Sequence, residues 1–456
     1  MNPVSFVGVD PASGDFQCAL TRQGERHIVF RTFSVAESQL HQMVDWIRNE
    51  HIDIIAIEGQ GGYATPLEKT LRGASIPFYS FSPFKIAKYR QAVLGQHKNN
   101  LKDATTVAFY ARQLAAQDDL EPYRRTWFPD EVLRPLVRMY EQKQKEATRE
   151  INRLWQTIHG ISGDLYLFLK GSAPGTHNKR SLSQQWMLKL FAWYPDVHTW
   201  QSFTPDGITT VLKEHRAGII EKVMCLKDMV SCVSWYSDIE KLRLQVSATT
   251  ALALKQVVRS LYHQIEAEAA KNPATQRLMC YGGIGALTAA QIVGEIADIS
   301  RFPNNNHLAS YAGLGRREHK TGTGNTERRN HLFNRRLKNT FFTAARNYTL
   351  FNPDSHLTGY YRSLRSRGMK PTEVYKRVAR ALVRRFYRDL TIIREQEEKE
   401  TRREGNSEPS PTGNKPPEQP HTSPSEEKFT TSRAQTKPLM CESIVSKQEV
   451  YINKFT

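Results

Sequence analysis

The strongest constraint on this 456-residue chain is the order of segments in its first quarter, where short apolar runs alternate with stretches of helical period. Ser5-Phe6-Val7-Gly8-Val9-Asp10 is an apolar run closed by an acid. Residues 16–20 and 28–32 follow as two more runs, with turn residues at Ser13-Gly14 and Gly24-Glu25. Connections this short leave no room for a crossover helix, so they predict an antiparallel meander. Residues 36–49 carry Leu40, Met43, Val44 and Ile47 at helical spacing. Ile54-Ile55-Ala56-Ile57-Glu58 reads as a fourth strand, again ending in an acid. Residues 67–73 read as a helix and 77–81 as a fifth strand. A further helix spans 98–114 and opens with Asn100 and Asp103.

Three strands, a helix, a strand, a helix and a strand is the order of a ribonuclease-H-like fold. Such a fold has a chemical reason to end strands in acids. Two Mg²⁺ ions about 4 Å apart require carboxylates that converge from separate elements. Asp10 and Glu58 would stand at neighbouring strand ends, and Asp103 would approach from a later helix. A lone acid at a strand end is usually just solvated, so the reading rests on the trio in this order.

Charge points to the partner. There are 64 Lys and Arg against 46 Asp and Glu, a net charge of +18, which suits a polyanion. The excess is concentrated: residues 316–390 hold 19 basic and 5 acidic side chains. Residues 362–388 read as a basic helical region with Arg377 and Arg384 among its cations. Tyr375, Val378, Leu382 and Phe386 give it an apolar face. Phosphate contact fits this pattern, and a merely solvated helix face is the ordinary alternative. Membrane-surface binding fits poorly without a broad Trp/Leu face. Five cysteines, odd in number and widely spaced, indicate a reduced compartment and neither a disulfide framework nor zinc spacing. No run approaches the roughly 18 apolar residues of a membrane span. The first residues lack a secretory pattern, so the expected location is the cytoplasm, at the nucleoid.

Several motifs together resemble a known family. Val7-Gly8-Val9-Asp10, Ile57-Glu58-Gly59 with Tyr63, and Lys98-Asn99-Asn100-Leu101-Lys102-Asp103-Ala104 resemble the DEDD-type insertion-sequence transposases, which include the Piv-like invertases. So do Gly282-Gly283-Ile284-Gly285, Glu295-Ile296-Ala297-Asp298, Tyr311-Ala312-Gly313-Leu314, Thr321-Gly322 and Asn334-Arg335-Arg336-Leu337. The resemblance covers about residues 4–390. It implies a RuvC-like N-terminal domain whose four acids hold Mg²⁺, and a C-terminal domain whose serine attacks a DNA phosphate. It also implies a dimer or tetramer with a composite site, and a structured bridge RNA as guide. Carried over residue by residue, Asp10, Glu58 and Asp103 match three acids, and the remaining acid falls on Asn100. A neutral amide oxygen can ligate a hard cation but adds no charge. The serine falls on Thr321, whose methyl group hinders in-line attack. Thr323 and Ser310 are nearby hydroxyls, and His319 is a surface histidine in the simplest reading. Arg316, Arg317, Lys320, Arg328, Arg329, Arg335 and Arg336 would neutralise phosphates around Thr321.

The expected fold is α/β plus α: a ribonuclease-H/RuvC-like domain over 1–125, a helical and coiled-coil region with inserted helices over 126–272, a mainly helical transposase domain over 273–394 and a disordered tail over 395–456. Within the second region, 132–158 is one long helix. Leu252, Leu254, Val257, Leu261 and Ile265 lie near heptad spacing in a helix over 248–270, as a dimer seam or an intramolecular pair. Trp186, Trp193, Trp200 and Trp235 read as core or helix contacts. Gly282-Gly283-Ile284-Gly285 lacks a P-loop ending and reads as a helix-hairpin-helix turn facing phosphate or as a simple tight turn. The expected activity is Mg²⁺-dependent DNA transposition or site-specific recombination. The alternatives are a nucleic-acid binder derived from a transposase and a metal-dependent nuclease or junction resolvase.

Overall fold

The computed structural model describes residues 4–59, 62–93, 100–126, 130–170, 182, 184–212, 217–231, 233–234, 236–315, 320–321, 324–325 and 333–405. It comprises two units, Met1–Phe128 and Pro129–Thr456.

The first unit is built on a five-stranded sheet. Its elements are β1 (Ser5–Pro11), β2 (Asp15–Arg22), β3 (Ile28–Ser34), α1 (Glu37–Asn49), β4 (Ile54–Glu58), α2 (Thr65–Gly73), β5 (Tyr79–Phe81), α3 (Pro83–Val93) and α4 (Asn100–Ala116). The strand order is β3-β2-β1-β4-β5. The first three strands form the expected antiparallel meander, while β4 runs parallel to β1 and β5 parallel to β4. This is the ribonuclease-H-like topology. Strand side chains alternate between faces. Val7, Val9, Ile55 and Ile57 turn to one face and pack with Met43 and Ile47 of α1 and Leu67 of α2. Phe6, Ala56 and Phe81 turn to the other and pack with Ile86 of α3 and Val107 and Ala111 of α4. Helix α3 was not anticipated from the sequence, and its apolar residues have little helical periodicity: only Ile86 among them is buried.

The second unit is helical. It contains α5 (Leu133–Ile161), α6 (Gly163–Lys170), α7 (Gln185–Trp193), α8 (Pro205–Leu212), α9 (Ala217–Val230), α10 (Asp238–Lys271), α11 (Pro273–Met279), α12 (Ala286–Ile296), α13 (Asn305–Tyr311), a hairpin of β6 (Lys320–Thr321) and β7 (Gly324–Asn325), α14 (Arg335–Phe351), α15 (His356–Ser366) and α16 (Pro371–Gly405). Two cores share the long helices. Leu133 and Val137 of α5 join Ile265 of α10 in the core of the C-terminal helices. Leu154 and Ile158 of α5 join Leu244, Ala248 and Ala251 of α10 in the core of the inserted helices. The pairing of opposite ends makes α5 and α10 an antiparallel pair. Leu261 and Ile265 are therefore buried within the chain, whereas Val257 is 43% exposed. The intramolecular alternative accounts for Leu261 and Ile265 of that heptad pattern. Trp186 and Trp200 are buried in the insertion core, but Trp193 is 48% exposed and so is a surface residue. Trp235 lies outside the described residues.

Two further expectations change. The basic region 362–388 is not one helix. Gly368, at φ +79, turns the chain between α15 and α16, and Pro371 opens the second helix. Helix α16 also continues through residues 395–405, which composition alone assigns to a disordered tail. The rest of that tail lies outside the described residues. Val374, Val378, Leu382, Phe386 and Leu390 bury one face of α16, while Arg377, Arg384 and Arg388 share the exposed face. Removing the fully buried Phe386 ring should therefore cost about 3–5 kcal/mol, whereas Arg384→Ala should cost under about 0.5 kcal/mol. Thermal unfolding of both variants beside the parent checks this, and equal losses would contradict the assigned faces.

Candidate functional site

The register of the sheet brings two acids together. Gly8 lies opposite Ala56 and Val9 opposite Ile57, so the next residues, Asp10 and Glu58, follow as neighbours on adjacent parallel strands. Alternation then decides which way they face. Positions 6, 8 and 10 of β1 and 54, 56 and 58 of β4 belong to the α4 face, with Phe6, Ile54 and Ala56 packed there. Helix α4 lies unusually close to that face because residue 8 has no side chain. A Cβ built on Gly8 would stand 2.2 Å from the Ala104 carbonyl oxygen and 2.3 Å from the Ala108 nitrogen. Asp103, one residue before Ala104, is 3% exposed. Its carboxylate is ion-paired with the Arg90 guanidinium of α3. Asn100 is the first residue of α4.

These donors suit a hard divalent cation in kind, being carboxylate and amide oxygens. The fit is incomplete as the chain stands. Arg90 already supplies a positive charge to Asp103, and among the described residues no three His, Cys, Asp or Glu side chains converge on one point. Asp10 and Glu58 are the part of the set already side by side.

The second candidate site lies in the helical unit. Lys320 and Thr321 form β6, with Lys320 opposite Asn325 and Thr321 opposite Gly324. Arg316, Arg317, His319, Thr323, Arg328 and Arg329 lie outside the described residues. The flanks of this stretch are held by close packing and hydrogen bonds. On the entry side, Gly313 has φ +66, and a Cβ there would stand 2.7 Å from the Phe333 ring. Ser310 packs against Gly315, in keeping with a packing role. On the exit side, Asn334 caps α14 by accepting from the Leu337 amide at 3.0 Å. Arg335 is exposed beside it, whereas Arg336 is tied to Glu141 of α5 at 2.8 Å, so its charge is partly compensated. The Gly282-Gly283 turn is explained by packing. A Cβ on Gly282 would strike the Asn352 amide at 2.5 Å, and one on Gly283, at φ +84, the Asn347 carbonyl oxygen at 2.7 Å.

Glu295 was legible only as part of a motif, yet it is the most engaged acid near these flanks. It is 3% exposed. It accepts from Arg138 Nε at 2.7 Å and Nη2 at 3.0 Å, and from Asn334 Nδ2 at 2.7 Å. Burial raises its pKa, but the hydrogen bonds from Arg138 and Asn334 and the charges of Arg138 and Arg134 outweigh burial and hold it below the usual range.

Residues 275–361 match the Transposase IS116/IS110/IS902 family, and residues 7–162 match the IS110-type DEDD family, described as Transposase. The chain belongs to this transposase family. Over 134 residues it is 34% identical to an uncharacterized 43.6 kDa protein of insertion element IS110 from Streptomyces coelicolor, covering 29% of this chain and a third (33%) of that protein's length. Over 323 residues it is 20% identical to the transposase for insertion sequence element IS1111A of Coxiella burnetii, covering 71% of each. A Thermus thermophilus RuvC, solved with a Holliday junction substrate, is 11% identical with a TM-score of 0.21 over 26% of this chain and 98% of that one. The fold assignment rests on the strand order and register instead. Both matched ranges include candidate residues: the first contains Thr321, and the second contains Asp10, Glu58 and Asp103. No described helix of this family member is long and apolar enough to cross a membrane.

Two outcomes follow from this geometry. Gly8→Ala forces either β1 or α4 to move and should cost about 1–3 kcal/mol. Gly14→Ala, with open space around it, should be near neutral, and comparative melting checks the pair. Because the folded pKa of Glu295 lies below its unfolded value, its stabilisation is present above about pH 4.3 and is lost as pH falls through the folded value. The stability gap between parent and Glu295→Gln should thus shrink on acidification from pH 7 to pH 3. A constant gap would show that the charge is not what matters.

Proposed function

We propose that this chain is a DNA transposase that cuts and rejoins DNA through a hydroxyl nucleophile with a divalent cation, Mg²⁺, held in its ribonuclease-H-like unit. The observation that carries the reading is the convergence of Asp10, Glu58 and the Asp103 helix on one sheet face, in a chain whose two ends both match transposase families. Asp10, Glu58 and Asp103 would hold the cation, with Asn100 as a neutral fourth donor. The bound cation would offset charge that builds up on a phosphate during its transfer. Thr321 would supply the nucleophile. Its Oγ–P bond forms as one P–O ester bond of the DNA backbone breaks, which leaves a free sugar hydroxyl and a protein-linked strand. The hydroxyl proton has to leave to a base at the same time.

Arg316, Arg317, Lys320, Arg328, Arg329 and Arg335 would line the phosphates near Thr321, with Arg336 once released from Glu141. Arg377 and Arg384, on the exposed face of α16, would extend that track. A structured guide RNA would be a second polyanion for this charge. The working form would be a dimer or tetramer acting in the cytoplasm at the nucleoid. A second reading is a binder that has lost turnover, favoured by Asn100 in place of an acid, by Thr321 in place of serine and by Arg90 already seated on Asp103.

Covalent trapping distinguishes them. The protein, co-expressed with RNA from its flanking noncoding DNA, is incubated with Mg²⁺ and labelled junction DNA and run on a denaturing gel. An adduct that disappears in both Thr321→Ala and Asp10→Ala is the expected result. Cleavage without an adduct would mean hydrolysis by a nuclease, and binding alone would mean the inactive binder. In the same binding assay, Arg377→Ala plus Arg384→Ala should lower the slope of log affinity against log salt by about 0.9 for each phosphate no longer neutralised.

A further inference from the structure

Asp389 is a carboxylate in a core position. It stands between Phe386 and Leu390 on the buried side of α16 and is 2% exposed. A charge there is costly to desolvate, and a well-packed apolar side chain often serves stability equally well. The carboxylate instead gathers donors from two helices and the turn after α11. One oxygen accepts from Arg277 Nε of α11 at 3.0 Å and from the Tyr281 hydroxyl at 2.8 Å. The other accepts from Nε and Nη2 of Arg388, each at 3.4 Å. Burial, with the hydrogen bond to Asp389, pushes the Tyr281 phenol up to about 12, so it stays a donor.

The two cations face the other way. The Arg277 and Arg388 side chains are 54% and 69% exposed, while that of Asp389 is 1% exposed. Guanidiniums so open to water offset only part of the burial of the carboxylate. They are better placed to meet a second anion. Arg277 is held through Nε, and among the described residues its Nη1–Nη2 edge has no hydrogen-bond partner. Such an edge matches two oxygens of one phosphate. Two guanidiniums against one carboxylate leave the cluster positive. Arg388 also lies one turn beyond Arg384 on the exposed face of α16, so the cluster continues the basic row of that helix onto α11.

We propose that Asp389 sets Arg277 and Arg388 as a backbone-phosphate site for nucleic acid where α11 meets α16. Asp389 is a positioning residue that touches no phosphate itself. The proposal rests on the helical unit being nucleic-acid-binding, and it depends on neither Thr321 nor a cation.

The test measures affinity of the full chain against salt, with a duplex DNA and a single-stranded RNA of equal length as the two probes. Arg277→Gln with Arg388→Gln should weaken binding about tenfold. The slope of log affinity against log salt should fall by about 0.9 per lost phosphate contact on duplex DNA, or about 0.7 on the single strand. The probe that responds identifies the ligand. Arg243→Gln with Arg259→Gln removes the same charge from exposed sites on α10 and should change affinity by less than about twofold. Arg277→Lys keeps the charge and loses the planar edge, and should weaken binding about threefold or more. Asp389→Asn makes the chain more positive, so attraction by net charge alone predicts tighter binding, whereas loss of positioning predicts weaker binding. Unfolding temperatures of all variants show which ones remain folded, and the exposed Arg277→Lys carries the geometric test if Asp389→Asn unfolds. Equal losses in the α10 pair, or unchanged affinity in the Arg277 and Arg388 pair while the parent binds, would overturn the site alone. Tighter or unchanged binding by folded Asp389→Asn would overturn the positioning role. A parent that binds neither probe would overturn the site together with the nucleic-acid reading of the unit.

Discussion

The first unit depends on an absent side chain. Gly8 lets the backbone of α4 settle on β1 at a distance that any Cβ would forbid, and the Asp103 end of α4 comes down with it. The rest follows from register. Parallel pairing of β1 with β4 sets Asp10 beside Glu58, and strand alternation turns both toward the helix that the missing side chain admits. Ala56 is the small neighbour on the same face. Asp10 and Glu58, far apart in sequence, are thereby set side by side by one hydrogen-bonding register, and the helix that carries Asp103 is admitted to the same face by one steric allowance.

Arg90 changes what that gathering means. A guanidinium on Asp103 gives a buried carboxylate a counter-charge. It also occupies a carboxylate that the proposed cation would need. Arg90 must therefore yield if Asp103 is to serve a cation.

Much of this was legible in the sequence, for identifiable reasons. The strands β1 to β5 announce themselves because each is a short apolar run bounded by turn residues, and α1, α5 and α10 because their apolar positions recur with helical period. Helix α3 stayed hidden because Ile86 is its one buried apolar residue, which leaves no helical period to read. The split between α15 and α16 was masked by continuous basic composition, although Gly368 and Pro371 carry the signal for it. Asp10, Glu58 and Asp103 were singled out from their places near element ends, and the register sets the first two side by side. Arg90 and Asn334 as partners were not, since an ion pair or a hydrogen bond between distant elements leaves no local periodicity. Glu295 fell between the two: visible as a letter in a motif, with its partners Arg138 and Asn334 lying 157 and 39 residues away.

The antiparallel pair of α5 and α10 has a mechanical consequence. Its two ends are embedded in different cores, the inserted helices at one and the C-terminal helices at the other. A 29-residue helix such as α5 is about 44 Å long at 1.5 Å per residue. Because a helix turns about 100° per residue, its length sets the angle between the faces presented at its two ends as firmly as it sets their separation. The pair acts as a keyed shaft. One residue added to or removed from the middle of α5 would swing Leu154 and Ile158 out of their core while Leu133 and Val137 stayed in theirs, so the number of residues between the two cores is itself a fixed dimension of the unit.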